Sequence, residues 1–390
     1  MNPIARETLE HENIARRFPF VPRGRPPCHP LDIRIRQVCQ LADTSARHPE
    51  KALNSAAEAC NLAALIASDC GLTALAADLC WTQFGIFAAG RPFGSGTAKL
   101  ALQPLINLSR LHARDGRGTA ASHTILALFD TVTHQTAAEI GGRTVDLSGL
   151  TRTREDYRET LRWLWTVLLS DGTRALTQDS HWDEALRLVE THQGIGQRLL
   201  DGRQIAIIAR HRAGDHESAW RLLSDAYAPT PWEQAVAAVL AILTGSTDTA
   251  TMVDRFLALD PAPPAQVVFR VRLGLTVIDL AGTAAPAALR LARAIEADVL
   301  QAKDAYAARD ASSHPAFSAV STQREALTEL LSTSGLRQGA IPAPLLKQLS
   351  TAFTTAKETL ADALRSRTPL ATPWCLERFR SEPGAAGSTV

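Results

Sequence analysis

Residues 154–226 read REDYRETLRWLWTVLLSDGTRALTQDSHWDEALRLVETHQGIGQRLLDGRQIAIIARHRAGDHESAWRLLSDA. Two turn positions in this stretch, Ser180 and Gly214, lie 34 residues apart, and five residues beyond each sits an alanine, Ala185 and Ala219. The same turn-plus-five alanine occurs upstream as Gly71 with Ala76 and Gly116 with Ala121. Tyr157, Leu161, Leu164, Trp165 and Leu168 recur at helical spacing and share one face. Trp163 falls off that stripe and must pack elsewhere or lie exposed. Thr153, with Asp156 three residues on, marks a helix start. A period of 34 residues belongs to stacked helical hairpins. The stretch therefore predicts an all-α fold, a right-handed array of antiparallel helix pairs.

Working outward toward the N-terminus, Gly118 to Thr133 and Thr97 to Arg114 form a hairpin turning at Asp115-Gly116. Leu72 to Ala89 pairs with a long helix that starts at Pro49, where a first-turn proline is tolerated. Leu31 to Leu41 is the first clear helix. Gly90, Pro92, Gly94 and Gly96 form a loop. Residues 137–150, AAEIGGRTVDLSGL, break the helical pattern, and Gly141-Gly142 lies between Ile140 and the alternating Thr144-Val145-Asp146-Leu147. This segment reads as a small hairpin or an extended loop inserted between repeats, and a binding insertion and a plain connector fit it equally. Toward the C-terminus, helices are expected at Asp183–His192, Gln197–Ala213, Glu217–Ala226 and Trp232–Leu243. Beyond Gly245 the repeat signature fades, and a boundary is expected there. Helices are expected at Ala250–Leu259, Ala265–Leu280, Pro286–Arg309, His314–Thr333 and Pro342–Arg367. The chain thus divides into an arm (1–30), a repeat array (31–244), a C-terminal helical region (245–367) and an irregular tail (368–390) ending in SEPGAAGSTV.

The arm begins with a short charged helix from Ile4 to Arg17, followed by FPFVPRGRPPCHP. Five prolines between Pro19 and Pro30 forbid helix and favour an extended strand of chain. Arg16, Arg17, Arg23, Arg25, Arg34 and Arg36 make the segment basic. Such an arm either grips a partner or nucleic acid, or lies as a strap across the first helices, anchored by Phe18 and Phe20. The strap is the favoured alternative.

The formal net charge of +1 over 390 residues gives no global field toward nucleic acid or membrane. Arginine far outnumbers lysine, as planar recognition of carboxylate or phosphate would require, although genome composition gives the same bias. Of the six cysteines, Cys28, Cys39, Cys60, Cys70, Cys80 and Cys375, none forms a C-x-x-C pair. They are expected to be core thiols in a reducing compartment. The N-terminus is too charged for a signal peptide, and no run of 18 apolar residues occurs. A cytoplasmic protein follows as the expectation.

The four hairpins resemble tetratricopeptide repeats. The resemblance rests on the turns Gly71, Gly116, Ser180 and Gly214, the alanines five residues later, and an apolar residue nine after each turn (Cys80, Ile125, Val189, Leu223). Pro231 adds a helix-ending proline seventeen residues after the last turn. It covers roughly residues 50–231. The turns are 45, 64 and 34 residues apart, so the last pair alone has the family spacing. The Ala/Arg-rich style also resembles the sensor halves of some actinobacterial regulators, without their helix-turn-helix. The resemblance implies a concave groove lined by the first helix of each pair. Its register gives Glu58, Asn61, Ser68 and Asp69, then Gln103, Arg110 and Arg114, then Ser170, Arg174, Thr177 and Gln178, then Asp201, Gln204, His211 and Arg212. Asn61, Gln103, Arg110, Arg114, Arg174, Gln178, Gln204, His211 and Arg212 are the ligand-binding candidates. Such a surface suits a peptide carboxylate, an acidic peptide or a phosphorylated small molecule.

Catalytic motifs are weak. Gly94-Ser-Gly-Thr-Ala-Lys99 has glycines before a helix start but lacks phosphate-loop spacing. Gly194-Ile-Gly196 is weaker still. His211-Arg212 with Asp215, and His181 with Asp183, are the densest polar groupings, and neither accompanies a recognisable nucleophile. No HExxH or other metal-ligand spacing and no cofactor motif occurs. Asp171-Gly172 and Asp201-Gly202-Arg203 place glycine where a helix disfavours it, as close packing or ligand approach would. The expected function is a non-enzymatic interaction module that binds a peptide, protein or small anion, as adaptor or ligand-sensing regulator. One alternative is an enzyme or accessory subunit with a helical pocket near Arg162, Arg203, Arg210 and His211. Another is nucleic-acid binding through the arm.

Overall fold

The computed structural model describes residues 17–283, 286–320 and 323–366, and the chain there is mostly helical. The helix expected from Ile4, Arg16, Ser321, Cys375 and the irregular tail lie outside the described residues. The first helices are α1 (Leu31–Arg47), α2 (Ala52–Asp69), α3 (Thr73–Ala88), α4 (Ser95–Arg114) and α5 (Gly118–His134). The 137–150 segment is a hairpin, β1 (Ala137–Ile140) antiparallel to β2 (Arg143–Asp146), turning at Gly141-Gly142. Next, α6 (Arg154–Val167) runs through a π-helical turn, Leu168–Gly172, into α7 (Thr173–Gln178). Then come α8 (Trp182–Thr191), α9 (Asp201–Arg212), α10 (His216–Ser224), α11 (Pro231–Leu243), α12 (Thr249–Leu257) and α13 (Val267–Ala281). The last are α14 (Pro286–Ala302), α15 (Ala305–Ser312), α16 (Pro315–Val320), α17 (Arg324–Thr333) and α18 (Ala343–Arg365).

The turn residues take the backbone the sequence pattern requires. Gly71, Gly116 and Gly214 sit at φ 84°, 71° and 83°, where glycine has no side-chain penalty. Ser180 does the same job at φ 61°, which costs an L residue about 1–2 kcal/mol. Ala76, Ala121, Ala185 and Ala219 are each 0% exposed, so every turn-plus-five alanine lies at a helix contact. Thr153 accepts from the Asp156 N–H at 3.1 Å, satisfying one of the free donors of α6.

Helix α1 runs past the expected Leu41 to Arg47, and four further helix limits differ from the sequence expectation. Helix α2 begins at Ala52, because His48–Lys51 closes as a turn with the Lys51 N–H on His48 O. Helix α9 begins at Asp201; Gln197 and Arg198 lie extended beside Tyr227, whose N–H reaches Gln197 O at 2.9 Å. The helix expected over 286–309 breaks at Lys303 (φ 50°), and Asp304 restarts the chain by capping the Ala307 N–H. The one expected over 314–333 is divided into α16 and α17. Trp163 is half-buried against the core.

Packing follows the helix pairs. Neighbours in sequence touch, and the first helix of one pair also touches the first helix of the next: α2 with α4, α4 with α6, α9 with α11, α11 with α13, and α13 with α15. Alanines make this approach close: α2 buries Ala56, Ala57, Ala59, Ala63, Ala64 and Ala67. Gly245, at φ 112°, turns the chain from α11 to α12. The last helix, α18, packs on α1, α2 and α3, and the Arg337 and Gly339 N–H groups bond to Asp69 O and Cys70 O. One hydrophobic core therefore runs from Phe18 to Leu364.

The arm is a strap, but it does not lie across the first helices alone. Residues 18–30 have no regular secondary structure and reach from Trp182 and Gln204 to Ala265 and Asp304. Phe18 and Phe20 are each 0% exposed, and Phe18 meets Trp182 edge-on at 5.4 Å between ring centroids. The Gln204 side-chain amide donates to Phe20 O at 3.0 Å, and the Arg25 N–H donates to Ala265 O at 3.1 Å. The Cys28 N–H donates to an Asp304 carboxylate oxygen at 3.0 Å, and Cys28 O accepts from the Ala305 N–H.

Candidate functional site

The first-helix face carries an unusual density of guanidinium groups, and their pairing separates structural from available charge. Arg17 pairs with Asp279 at 2.5 Å, and Arg23 pairs bidentately with Asp201. Arg34 is buried against Asp69, which also accepts from the Tyr306 hydroxyl at 2.5 Å and lies 3.3 Å from Arg114. Arg36 pairs with Asp32 on the surface. Arg17, Arg23, Arg34 and Arg36 therefore each have a carboxylate partner within the molecule.

The π turn interrupts the helix line at Asp171. Such turns insert one residue per turn and re-aim the side chains that follow. Asp171 accepts from Arg110 at 3.0 and 2.7 Å. Arg110 also donates to Asn107, which accepts from Gln103 and donates to Asn61, each at 3.2 Å. Asn61, Gln103 and Arg110 thus form one polar ladder across α2 and α4, ending on the π turn.

Three residues beyond Asp171, the Arg174 side chain has no hydrogen bond or ion pair among the described residues. It is half-buried, on the helix that follows the π turn. Burial disfavours its charge most, Arg272 adds repulsion, and Arg25 and Arg110 add more, against the attraction of Asp171; the guanidinium is pushed down to about 9. It remains protonated at neutral pH. Arg272 is held by Asp310 at 2.9 Å, and Asp310 is shared with Arg309 at 2.8 Å. Arg25 reaches over from the arm and stacks on the Tyr306 ring, 3.7 Å from its centroid, with no carboxylate partner among the described residues. Five guanidiniums, Arg25, Arg110, Arg174, Arg272 and Arg309, therefore share this space with two carboxylates, Asp171 and Asp310. Gln178 lies one turn beyond Arg174 and is half-buried.

The other candidates separate from this cluster. Arg114 is tied to Ser68 and Asp69. Gln204 is wholly buried and donates to Phe20 O and Leu199 O, so it holds the arm. His211 and Arg212 line a different cavity of about 710 Å³ between the turns at Ser180 and Gly214, with His181, Trp182, Arg187 and His216. There the Nδ1 atoms of His211 and His216 are 3.0 Å apart, and Arg212 sits 5.9 Å over the Trp182 ring. No group of three or more His, Cys, Asp or Glu side chains among the described residues is placed to hold a metal ion.

The pocket suggested around Arg162, Arg203, Arg210 and His211 does not form. Arg162 is exposed beside Glu155, Arg210 pairs with Glu190, and buried Arg203 donates to Leu222 O and Gly196 O. The two costly glycines have different origins. A side chain at Gly202 would meet Gly194 O at 2.2 Å, so close backbone packing excludes one, whereas Gly172 belongs to the π turn. Gly94 and Gly96 lie at the start of α4, where the Ser95 N–H donates to Asp156 at 2.8 Å. Arg272 and Tyr306 escaped the sequence argument, and Arg25 entered it only as part of a basic arm, because neither the arm nor the pairs beyond Gly245 carried a register to place them. Compared with protein-family models, curated proteins and solved structures, the chain matches none. No helix among the described residues is long and apolar enough to cross a membrane.

Proposed function

We propose that the chain is a non-enzymatic binding module, a tetratricopeptide-like array of helix pairs, whose first-helix face takes an anionic ligand. The observation that carries this reading is the half-buried Arg174 guanidinium, unpaired among the described residues and facing the charges of Arg25, Arg110 and Arg272. A cation left without a partner in a half-buried site is unfavourable, and an anion with planar or tetrahedral oxygens relieves it through charge-assisted hydrogen bonds. Of the two roles such a module fills, ligand-sensing regulator suits the geometry better than peptide adaptor. Residues 18–30 already occupy the track along which an extended peptide would lie, and Gln204 is engaged with Phe20. The free thiols Cys28, Cys39, Cys60, Cys70 and Cys80 suit a reducing compartment.

The test is thermal unfolding in a panel of anions at constant ionic strength, with wild type and Arg174→Gln. Phosphate, citrate or a sugar phosphate should raise the wild-type Tm in proportion to log concentration, and Arg174→Gln should lose that response. Equal responses in both proteins would remove the site from Arg174.

A further inference from the structure

The cluster around Arg174 is built from two parts of the chain, the packed helices and the arm. Arg110, Asp171, Arg174 and Arg272 stand on helices of the packed array. Arg25 stands on the arm, which has no regular secondary structure and is held by side-chain contacts and a few backbone hydrogen bonds. Arg25 docks against a face that already carries surplus positive charge. We propose that a small phosphate-bearing molecule binds between Arg174 and Arg25 and thereby pins the arm to the array, so that the arm reports occupancy of the site. This rests on the reading of Arg174 as an anion site and adds the ligand's chemistry and its consequence.

Charge selects phosphate over a simple carboxylate. Five guanidiniums, Arg309 included, against two carboxylates leave three positive charges uncompensated. A phosphomonoester carries about −1.5 to −2 at neutral pH and offers three strong acceptor oxygens. A monocarboxylate would leave part of the surplus in place. The ligand is a small molecule, because the arm fills the path that a phosphopeptide backbone would need.

Coupling follows from linkage. A ligand that touches Arg25 binds the docked arm better than the released arm, and it shifts that equilibrium by its differential affinity. The arm should therefore be a conditional element, tightened by the anion and loosened by its removal. The contacts of Phe18 and Phe20 set the resting stability of docking, and the Arg25–Arg174 repulsion sets the part that a ligand can change.

The experiment uses the full chain with inorganic phosphate as probe, and chloride and acetate as controls at equal ionic strength. Binding is read by isothermal titration calorimetry. Arm release is read by the rate of tryptic cleavage after Arg23, with products identified by mass. At phosphate ten times its Kd, cleavage of wild type should slow about tenfold, with no such effect from acetate. Arg174→Gln should lose phosphate binding and, with the like charge gone, cleave severalfold more slowly than wild type without phosphate. A merely structural Arg174 would predict the opposite sign, faster cleavage. Arg25→Gln should abolish the phosphate dependence whatever its basal rate. Phosphate binding without any change in cleavage would overturn the coupling and leave the anion site standing. No phosphate binding to wild type, or undiminished binding to Arg174→Gln, would overturn the site itself. A phosphoserine peptide that bound more tightly than phosphate and accelerated cleavage would show displacement of the arm and overturn the small-molecule assignment.

Discussion

Replacing Phe18 by alanine tests whether the arm is part of the fold. The side chain is 0% exposed and packs edge-on against Trp182 at 5.4 Å and Phe20 at 6.2 Å between ring centroids. Truncating a buried phenylalanine costs about 3–5 kcal/mol, a range that includes the cavity left behind. The neighbouring contacts argue for the middle of that range. Gln204 on Phe20 O and the Arg17–Asp279 and Arg23–Asp201 pairs hold the backbone on both sides, so the cavity cannot easily collapse. With an unfolding entropy of about 2 cal/mol/K per residue over a chain of 390 residues, a loss of about 4 kcal/mol lowers Tm by roughly 5 °C. Thermal unfolding followed by circular dichroism reads the global effect, and hydrogen exchange over residues 18–30 reads the local one. Both should move. If Tm falls and arm exchange is unchanged, the cost has been misplaced. If neither changes, Phe18 is not part of the core and the strap account fails.

Three further outcomes follow from the same structure. Ala121→Glu puts a carboxylate at a 0% exposed position whose carbonyl accepts from Ser109, and it should cost several kcal/mol in urea unfolding; wild-type stability would disprove the helix register. In Asp310 burial works against the charge, but Arg272 and Arg309 outweigh it and hold the carboxyl below its usual value. Asp279 is held down likewise, by His314 and Arg17 against burial. A depressed folded value means the unfolded chain binds protons first, so this stabilisation is full above pH ~4 and is lost as the pH falls through the lower folded values; Asp310→Asn should flatten the acid limb of a Tm-versus-pH curve. Burial pushes the Cys28, Cys60 and Cys80 thiols up to about 12 and Cys70 to about 11; of the five described thiols, half-exposed Cys39 should react first with a disulfide reagent, the other four after unfolding.

The turns and their alanines were legible in the sequence because a positive-φ residue and a close helix contact each restrict the residue types that fit. Gly71, Gly116 and Gly214 are such positions, and Ala76, Ala121, Ala185 and Ala219 are the contacts they predict. The β hairpin at Gly141-Gly142 was visible as one of two alternatives for the same physical reason. Arg174 could be proposed from repeat register, but its lack of a partner could not. Pairing is decided by residues far away in sequence, as when Asp69 takes Arg34, Arg114 and Tyr306, or Asp201 takes Arg23. The placement of the arm was equally hidden. A proline-rich segment declares that it is extended, while its binding surface is set by Trp182, Gln204, Ala265 and Asp304, scattered over four helix pairs.

The central claim is that Arg174 and its neighbours exist to hold an anion. Native mass spectrometry of the protein purified from its own host, before and after mild denaturation, tests it most directly. The account predicts a phosphorylated small molecule that travels with the wild-type chain, is released on denaturation, and is missing from Arg174→Gln. A chain of bare mass in both proteins, or the same adduct on both, would contradict it.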